Sequence, residues 1–300
     1  MIPLILSTLF SAVFAIGIRF AQTRQADMTV VGAVNYLTAA LFHAVLVLVT
    51  GARAVHPGSL LIGLGGGVCY ATAFFLIQAL MRRRGVSVTA SVTRLSVLVP
   101  IGVSLAVWHE SATAFQAAGI GLAVVSLPLL SIAPAEFTGS PGLPAGNRGT
   151  RPRIASVWLL AGLFVVNGLC LLTTRAFRQT GIQGEDALFL LFLFSAASVT
   201  SCVVWFAHRR TGLRAGASAA VPFVTSALPG VLLGLSNALS NRLIVLALQR
   251  LPGIIVYPFY SAVGLLATVA LTRALWKEKI GVPDGIGMAL AVGSVVLVNL

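Results

Sequence analysis

Apolar stretches of about 20 residues alternate with short polar breaks along the chain, at roughly 2–21, 28–50, 58–81, 86–107, 112–132, 155–177, 187–207, 220–249, 253–275 and 280–299. A helix needs about 20 such residues to cross the hydrocarbon of a bilayer. The pattern therefore predicts ten membrane-spanning helices, numbered here as spans one to ten. The first run has no basic leader and no clear cleavage site after its core, so it reads as a true span and not as a signal peptide. One break differs from the rest. The segment 133–154, which opens APAEFTGSPGLPAGNRGTRPR, is dense in Pro and Gly and reads as a linker between a first half, 1–132, and a second, 155–300.

The halves resemble each other. WHESATAFQAAGIGLAVVS, from Trp108 to Ser126, returns as WKEKIGVPDGIGMALAVGS, from Trp276 to Ser294, at an offset of 168 residues. The same offset pairs Ala79 with Ala247, Leu80 with Leu248, Arg82 with Arg250, Gly85 with Gly253 and Val88 with Val256. The repeat is thus a half-protein. With five spans in each half, the second copy enters the bilayer from the opposite side, and the two form inverted-topology repeats of the kind found in secondary transporters. The expected fold is all-α, ten transmembrane helices in two inverted five-helix repeats.

Composition agrees with that reading. The 300 residues are 58% hydrophobic and only 9% charged, with a mean hydropathy of +0.99. A soluble chain with a net charge of +13 would suggest nucleic acid as partner. Here the arginines sit in short clusters between apolar runs, so they read as topology signals and contacts to lipid headgroups, and no nucleic acid is expected. Breaks after odd spans carry Arg24, Arg82–Arg84, Arg148, Arg151, Arg153, Arg209, Arg210, Arg214, Lys277 and Lys279; breaks after even spans carry little beyond Arg53, Arg178 and Arg250. Positive charge is retained in the cytoplasm, so this count puts both termini outside. The three cysteines, Cys69, Cys170 and Cys202, lie in apolar runs without metal-ligand spacing, and neither a disulfide nor a metal site is expected.

Two halves that each end in W-x-E and a last span rich in Gly and Ala resemble the EamA-type branch of the drug/metabolite transporter superfamily. The likeness covers nearly the whole chain and is strongest over Trp108–Ser126 and Trp276–Ser294. It implies a multi-pass protein of the cell inner membrane, a solute path lined by spans one, three, four, six, eight and nine, and both termini in the cytoplasm. On that last point it disagrees with the charge count. The W-x-E itself has a structural explanation: Trp108 and Trp276 fall at headgroup level, and Glu110 and Glu278 meet the positive ends of the following helices. A gating carboxylate is the sharper alternative. Gly119 with Ala123 and Gly287 with Ala291 make small-xxx-small faces on spans five and ten, suited to packing or to a homodimer.

An ionisable residue at membrane depth is costly and is therefore a functional candidate. Arg94 lies eight residues into span four, within TASVTRLS, and Arg242 lies near the end of span eight beside Ser236, Asn237, Ser240 and Asn241. Ser236 with Ser240 and Asn237 with Asn241 share one helix face. Against solute binding stand a packing hub for Arg94 and snorkelling to the interface for Arg242. Arg19, Arg175 and Arg273, near span ends, are expected to snorkel. Tyr257, Pro258 and Tyr260 replace the Thr89, Ala90 and Val92 of the first copy, and a carbonyl freed by Pro258 needs protein or a wet cavity to satisfy it. Tyr36, Tyr70, Asn35, Gln78 and Asn167 read as bonds between helices. The glycines of GLGGGVCY, residues 63–70, read as permitting close helix contact.

No span carries a central carboxylate, and the histidines are scattered without a catalytic motif. An enzyme is not expected, nor a cofactor. The sequence thus points to alternating-access movement, in the export direction, of an amino acid or related carboxylate-bearing metabolite. Its binding residues would be Arg94, Arg242, Asn237, Asn241, Tyr257 and Tyr260, and its other partners membrane lipids. A sugar-phosphate or nucleotide-sugar exchanger and a lipid-handling protein are the alternatives.

Overall fold

The computed structural model describes residues 2–51, 55–99, 103, 113–115, 117–119, 121–122, 125, 153–179, 184–210, 223–250, 253–276 and 282–298. These residues are almost wholly helical, in α1 (Ile2–Thr23), α2 (Met28–Thr50), α3 (Pro57–Leu95), α4 (Arg153–Gln179), α5 (Asp186–Arg210), α6 (Phe223–Arg250), α7 (Gly253–Trp276) and α8 (Val282–Val298). Among them six stretches, Ile2–Thr23, Met28–Thr50, Pro57–Val86, Val157–Phe177, Asp186–Arg210 and Phe223–Ala247, are long and apolar enough to cross a membrane. Large apolar side chains cover their outer faces, among them Leu41, Leu48, Val203, Val224 and Leu232, while Ser7, Asn35, His43 and Ser240 are buried. That distribution suits a multi-pass membrane protein, whose exterior meets lipid and whose polar groups must find partners inside.

Spans one, two, six, seven and eight correspond to α1, α2, α4, α5 and α6, and spans nine and ten to α7 and α8. Spans three and four differ from expectation. They are two arms of α3, joined by no loop: the helix runs through Arg82–Arg84 and bends at Gly85, whose φ of 85° and ψ of 173° are non-helical. Arginine propagates a helix well, and glycine alone adopts that backbone readily, so the break is a kink one residue wide. Span four was expected to run to residue 107. The helix is interrupted after Leu95 by a turn, with bonds from the Val97 amide to the Arg94 carbonyl at 3.3 Å and from the Val99 amide to the Ser96 carbonyl at 3.1 Å; Leu98, Val99 and Val103 are helical again, and 100–102 and 104–107 lie outside the described residues. Most of span five, the linker, Trp108, Glu110, Ala123 and Glu278 lie outside the described residues.

The chain forms two compact units. The first comprises Met1–Phe75 and Leu169–Arg250. In it α2 packs on α5 and α6, and α1 packs on α6. Asp27 caps α2 by accepting from the Thr29 amide at 2.9 Å, and Gly51, at φ 66°, ends it. Two glycine pairs set the closest approaches. A Cβ built on Gly63 would lie 3.0 Å from Phe192 Cβ and 3.1 Å from the Phe189 carbonyl of α5, and one on Gly67 would strike the Leu193 carbonyl and lie 2.6 Å from Ala196 Cβ. Likewise a Cβ on Gly230 of α6 would lie 2.7 Å from Val34 and 3.1 Å from the Val31 carbonyl of α2, and one on Gly234 would lie 2.5 Å from the Asn35 carbonyl. In both seams residue numbers rise together, so α3 runs parallel to α5 and α6 parallel to α2.

The second unit comprises Leu76–Gly168 and Leu251–Leu300. Its apolar core joins Leu80, Val88, Val92 and Leu95 of α3 to Leu160 and Leu163 of α4 and Met288 of α8. A Cβ on Gly168 would strike Val99, and one on Gly293 would lie 3.8 Å from Leu122 Cδ1, which places α8 against the described part of span five.

Candidate functional site

In the second unit, Arg94 occupies the last turn of α3, where the partial negative charge of the helix end favours a cation. It is 8% exposed. Its guanidinium carbon sits 4.5 Å from the centroid of the Tyr260 ring, a cation–π contact with α7. The same group lies against the backbone of Gly264, where a Cβ would come within 2.6 Å of the guanidinium carbon. Glycine at 264 is therefore what lets the arginine reach α7. Three hydroxyls of TASVTRLS bond within their own helix: Thr89 donates to the Gly85 carbonyl at 2.6 Å, Thr93 to the Thr89 carbonyl at 2.8 Å and Ser96 to the Val92 carbonyl at 3.0 Å. Asn167 joins α4 to this arm through a 2.9 Å bond to the Thr93 carbonyl. Tyr257 lies on α7, with its side chain outside the described residues.

In the first unit, Asn237 and Asn241 belong to a chain of amides. The Tyr70 hydroxyl donates to Asn241 Oδ1 at 3.1 Å, Asn241 Nδ2 donates to Asn237 Oδ1 at 2.8 Å, and Asn237 Nδ2 approaches Asn35 Oδ1 at 3.5 Å. Tyr36 donates to the Tyr70 carbonyl at 2.6 Å. Ser236 and Ser240 point the other way, bonding the Phe10 carbonyl at 2.8 Å and the Ser7 carbonyl at 3.0 Å of α1. The face expected to be uniformly solute-directed is thus divided, its serines fastening α1, Asn237 facing α2 and Asn241 facing Tyr70 of α3. Arg242 has a buried Nη1 without a hydrogen-bond partner among the described residues. Arg19, expected to snorkel, is instead 6% exposed.

The expected binding residues therefore fall into two groups, Arg94 with Tyr260 in one unit and Asn237, Asn241 and Arg242 in the other. Sequence reasoning missed Gly264 and His43. His43 is fully buried; its ring stacks on Phe194 at 5.2 Å, and Nδ1 bonds the Ala39 carbonyl at 2.9 Å. The signal available was its spacing, two helical turns beyond Asn35 on the same face as Ala39.

No family model matches the chain, and no curated protein matches it. Among solved structures, one described as "Crystal structure of protein" is similar with a TM-score of 0.63 at 14% identity, over 99% of this chain and 94% of that one. At that identity the likeness is one of fold.

Proposed function

We propose that the chain is a secondary transporter of two inverted five-helix repeats, similar to the EamA-type drug/metabolite transporters, which moves a small carboxylate-bearing metabolite across the inner membrane. The observation that carries the reading is that two glycine seams join corresponding spans, one residue out of register with the 168-residue offset. Gly63 and Gly67 on span three meet span seven, and Gly230 and Gly234 on span eight meet span two. Exchanging the halves turns one contact into the other, as an inverted repeat requires.

The solute class follows from charge. Arg94, buried against Tyr260 and Gly264, brings positive charge to an arm of α3 that contains no acidic residue. A carboxylate matches it. For a net anion, an interior-negative potential of 100 mV favours exit by about 2.3 kcal/mol per charge, so export needs no coupled proton.

Counterflow in proteoliposomes with labelled amino acids and organic phosphates, on wild type and Arg94→Ala, tests this. The expected outcome is uptake of carboxylate-bearing solutes that falls by at least tenfold in the variant. Uptake confined to organic phosphates would favour the anion-exchanger reading. Absence of uptake for every solute in the wild type would end the transport reading.

A further inference from the structure

In the first unit the end of α5 and the start of α6 meet through aromatic rings. Trp205 lies 4.8 Å from Phe206 and 6.5 Å from Phe223, centroid to centroid, and the guanidinium carbon of Arg209 sits 4.8 Å from the centre of the Trp205 ring. Arg209 and Arg210 end α5, and both are exposed. An indole carrying a cation on its face belongs at the level of lipid headgroups.

Beside this cluster both helices turn apolar residues outward. On α5 the exposed Val199, Val203 and Phe206 follow one another at steps of four and three, and a further step of four reaches Arg210, so one helix face carries them all. On α6 Val224, Leu228 and Leu232 are exposed at steps of four. Because the end of one helix meets the start of the other, the two stripes run into the hydrocarbon from the same level. From Arg210 back to Val199 is a rise of about 16 Å, and the hydrocarbon of one leaflet is about 15 Å deep. The surface thus offers charge at one end and apolar contact over the depth of one leaflet.

Charge decides which lipid fits it. No acidic residue occurs from 187 to 250. Asp27, whose amide bonds Ser226 in the first turn of α6 at 2.9 Å, has its carboxylate engaged by the amide and hydroxyl of Thr29. The two arginines therefore present positive charge that no acid on either helix offsets. A zwitterionic headgroup brings a cation of its own to this surface, whereas an anionic one brings only phosphate oxygens, which suit a guanidinium.

We infer that the end of α5 and the start of α6 bind an anionic phospholipid, its phosphate on Arg209 and Arg210 beside Trp205 and its acyl chains along the two apolar stripes. The inference does not depend on the transport reading.

Native mass spectrometry of the purified full chain in detergent, titrated with phosphatidylglycerol and with phosphatidylcholine of the same acyl chains, tests it. Wild type is expected to bind the anionic lipid about tenfold tighter. Glutamine at both 209 and 210 should bring the ratio near one, and lysine at both, which keeps the charge, should preserve most of it. Each single variant, Arg209→Gln or Arg210→Gln, should lower the ratio part of the way, which carries the test where the double variant is unstable. Arg24→Gln, which removes an arginine lying over Phe20 of α1, should leave the ratio little changed. Equal affinity for the two lipids in wild type, or a preference that survives glutamine at both positions, overturns the site. An equal loss in Arg24→Gln would reveal diffuse attraction to any arginine on that side and overturns it too. Displacement of bound phosphatidylglycerol by inorganic phosphate would mean an anion site without acyl contacts and overturns the assignment to lipid.

Discussion

Arg94 is held in place by the geometry around it. It stands at the negative end of a helical arm, its guanidinium over Tyr260 and against a glycine that leaves room for it. The obstacle that a Cβ at 264 would create is the far end of a flexible side chain, so Gly264→Ala should displace the guanidinium at little cost to the fold. The expected outcome is an unfolding temperature within about 2 °C of wild type, under 1 kcal/mol for a chain of this size, together with transport reduced at least as far as a tenth. Loss of stability with transport intact would make Gly264 a packing residue only. The sequence exposed Arg94 through its charge in an apolar run. Gly264 stayed hidden because a glycine in a membrane helix is unremarkable until its neighbour is known. His43 stayed hidden because a lone histidine has no partner legible along one chain.

Among helices, the run GLGGGV contains its own control. Gly67 lies where a Cβ would strike the Leu193 carbonyl, whereas a Cβ on Gly65 meets nothing within 4 Å. Gly67→Ala must separate α3 from α5, and overpacking of this kind costs about 1–3 kcal/mol. Gly65→Ala should be neutral or stabilising, since alanine is favoured over glycine in a helix by about 1 kcal/mol. Thermal unfolding of the two variants in detergent checks both, and Gly234→Ala should behave like Gly67→Ala because its Cβ would lie 2.5 Å from the Asn35 carbonyl. Equal behaviour of Gly65→Ala and Gly67→Ala would remove the seam as a determinant of packing. Hydropathy made the long apolar helices legible, because lipid imposes their length. It missed the bend at Gly85 and the turn at Ser96 and Val97, since neither changes how apolar the stretch is. The division of the Ser236–Asn241 face also escaped it, because periodicity says which residues share a face and not which neighbour each one meets.

For the molecule in its membrane, positive charge at the helix ends sets direction. Within the first unit the ends of the helices are fixed relative to each other. The Asp27 amide donates to Ser226 at 2.9 Å, so the start of α2 and the start of α6 share a side; the His56 amide lies 3.4 Å from a Glu185 carboxylate oxygen, so the starts of α3 and α5 share the other. Arg24, Arg209 and Arg210 then belong to the first side, against Arg178 and Arg250 on the second. Retention of positive charge puts the first side in the cytoplasm, whereas the resemblance to EamA-type transporters implies the opposite. The charge count acts on this chain's own insertion, so it should prevail. With Cys69, Cys170 and Cys202 replaced by alanine, Thr50→Cys should react with an impermeant maleimide added to intact cells, and Thr23→Cys only after permeabilisation. The reverse pattern would place the amino terminus in the cytoplasm and defeat the charge count, while labelling of both from one side would mean that α2 does not span.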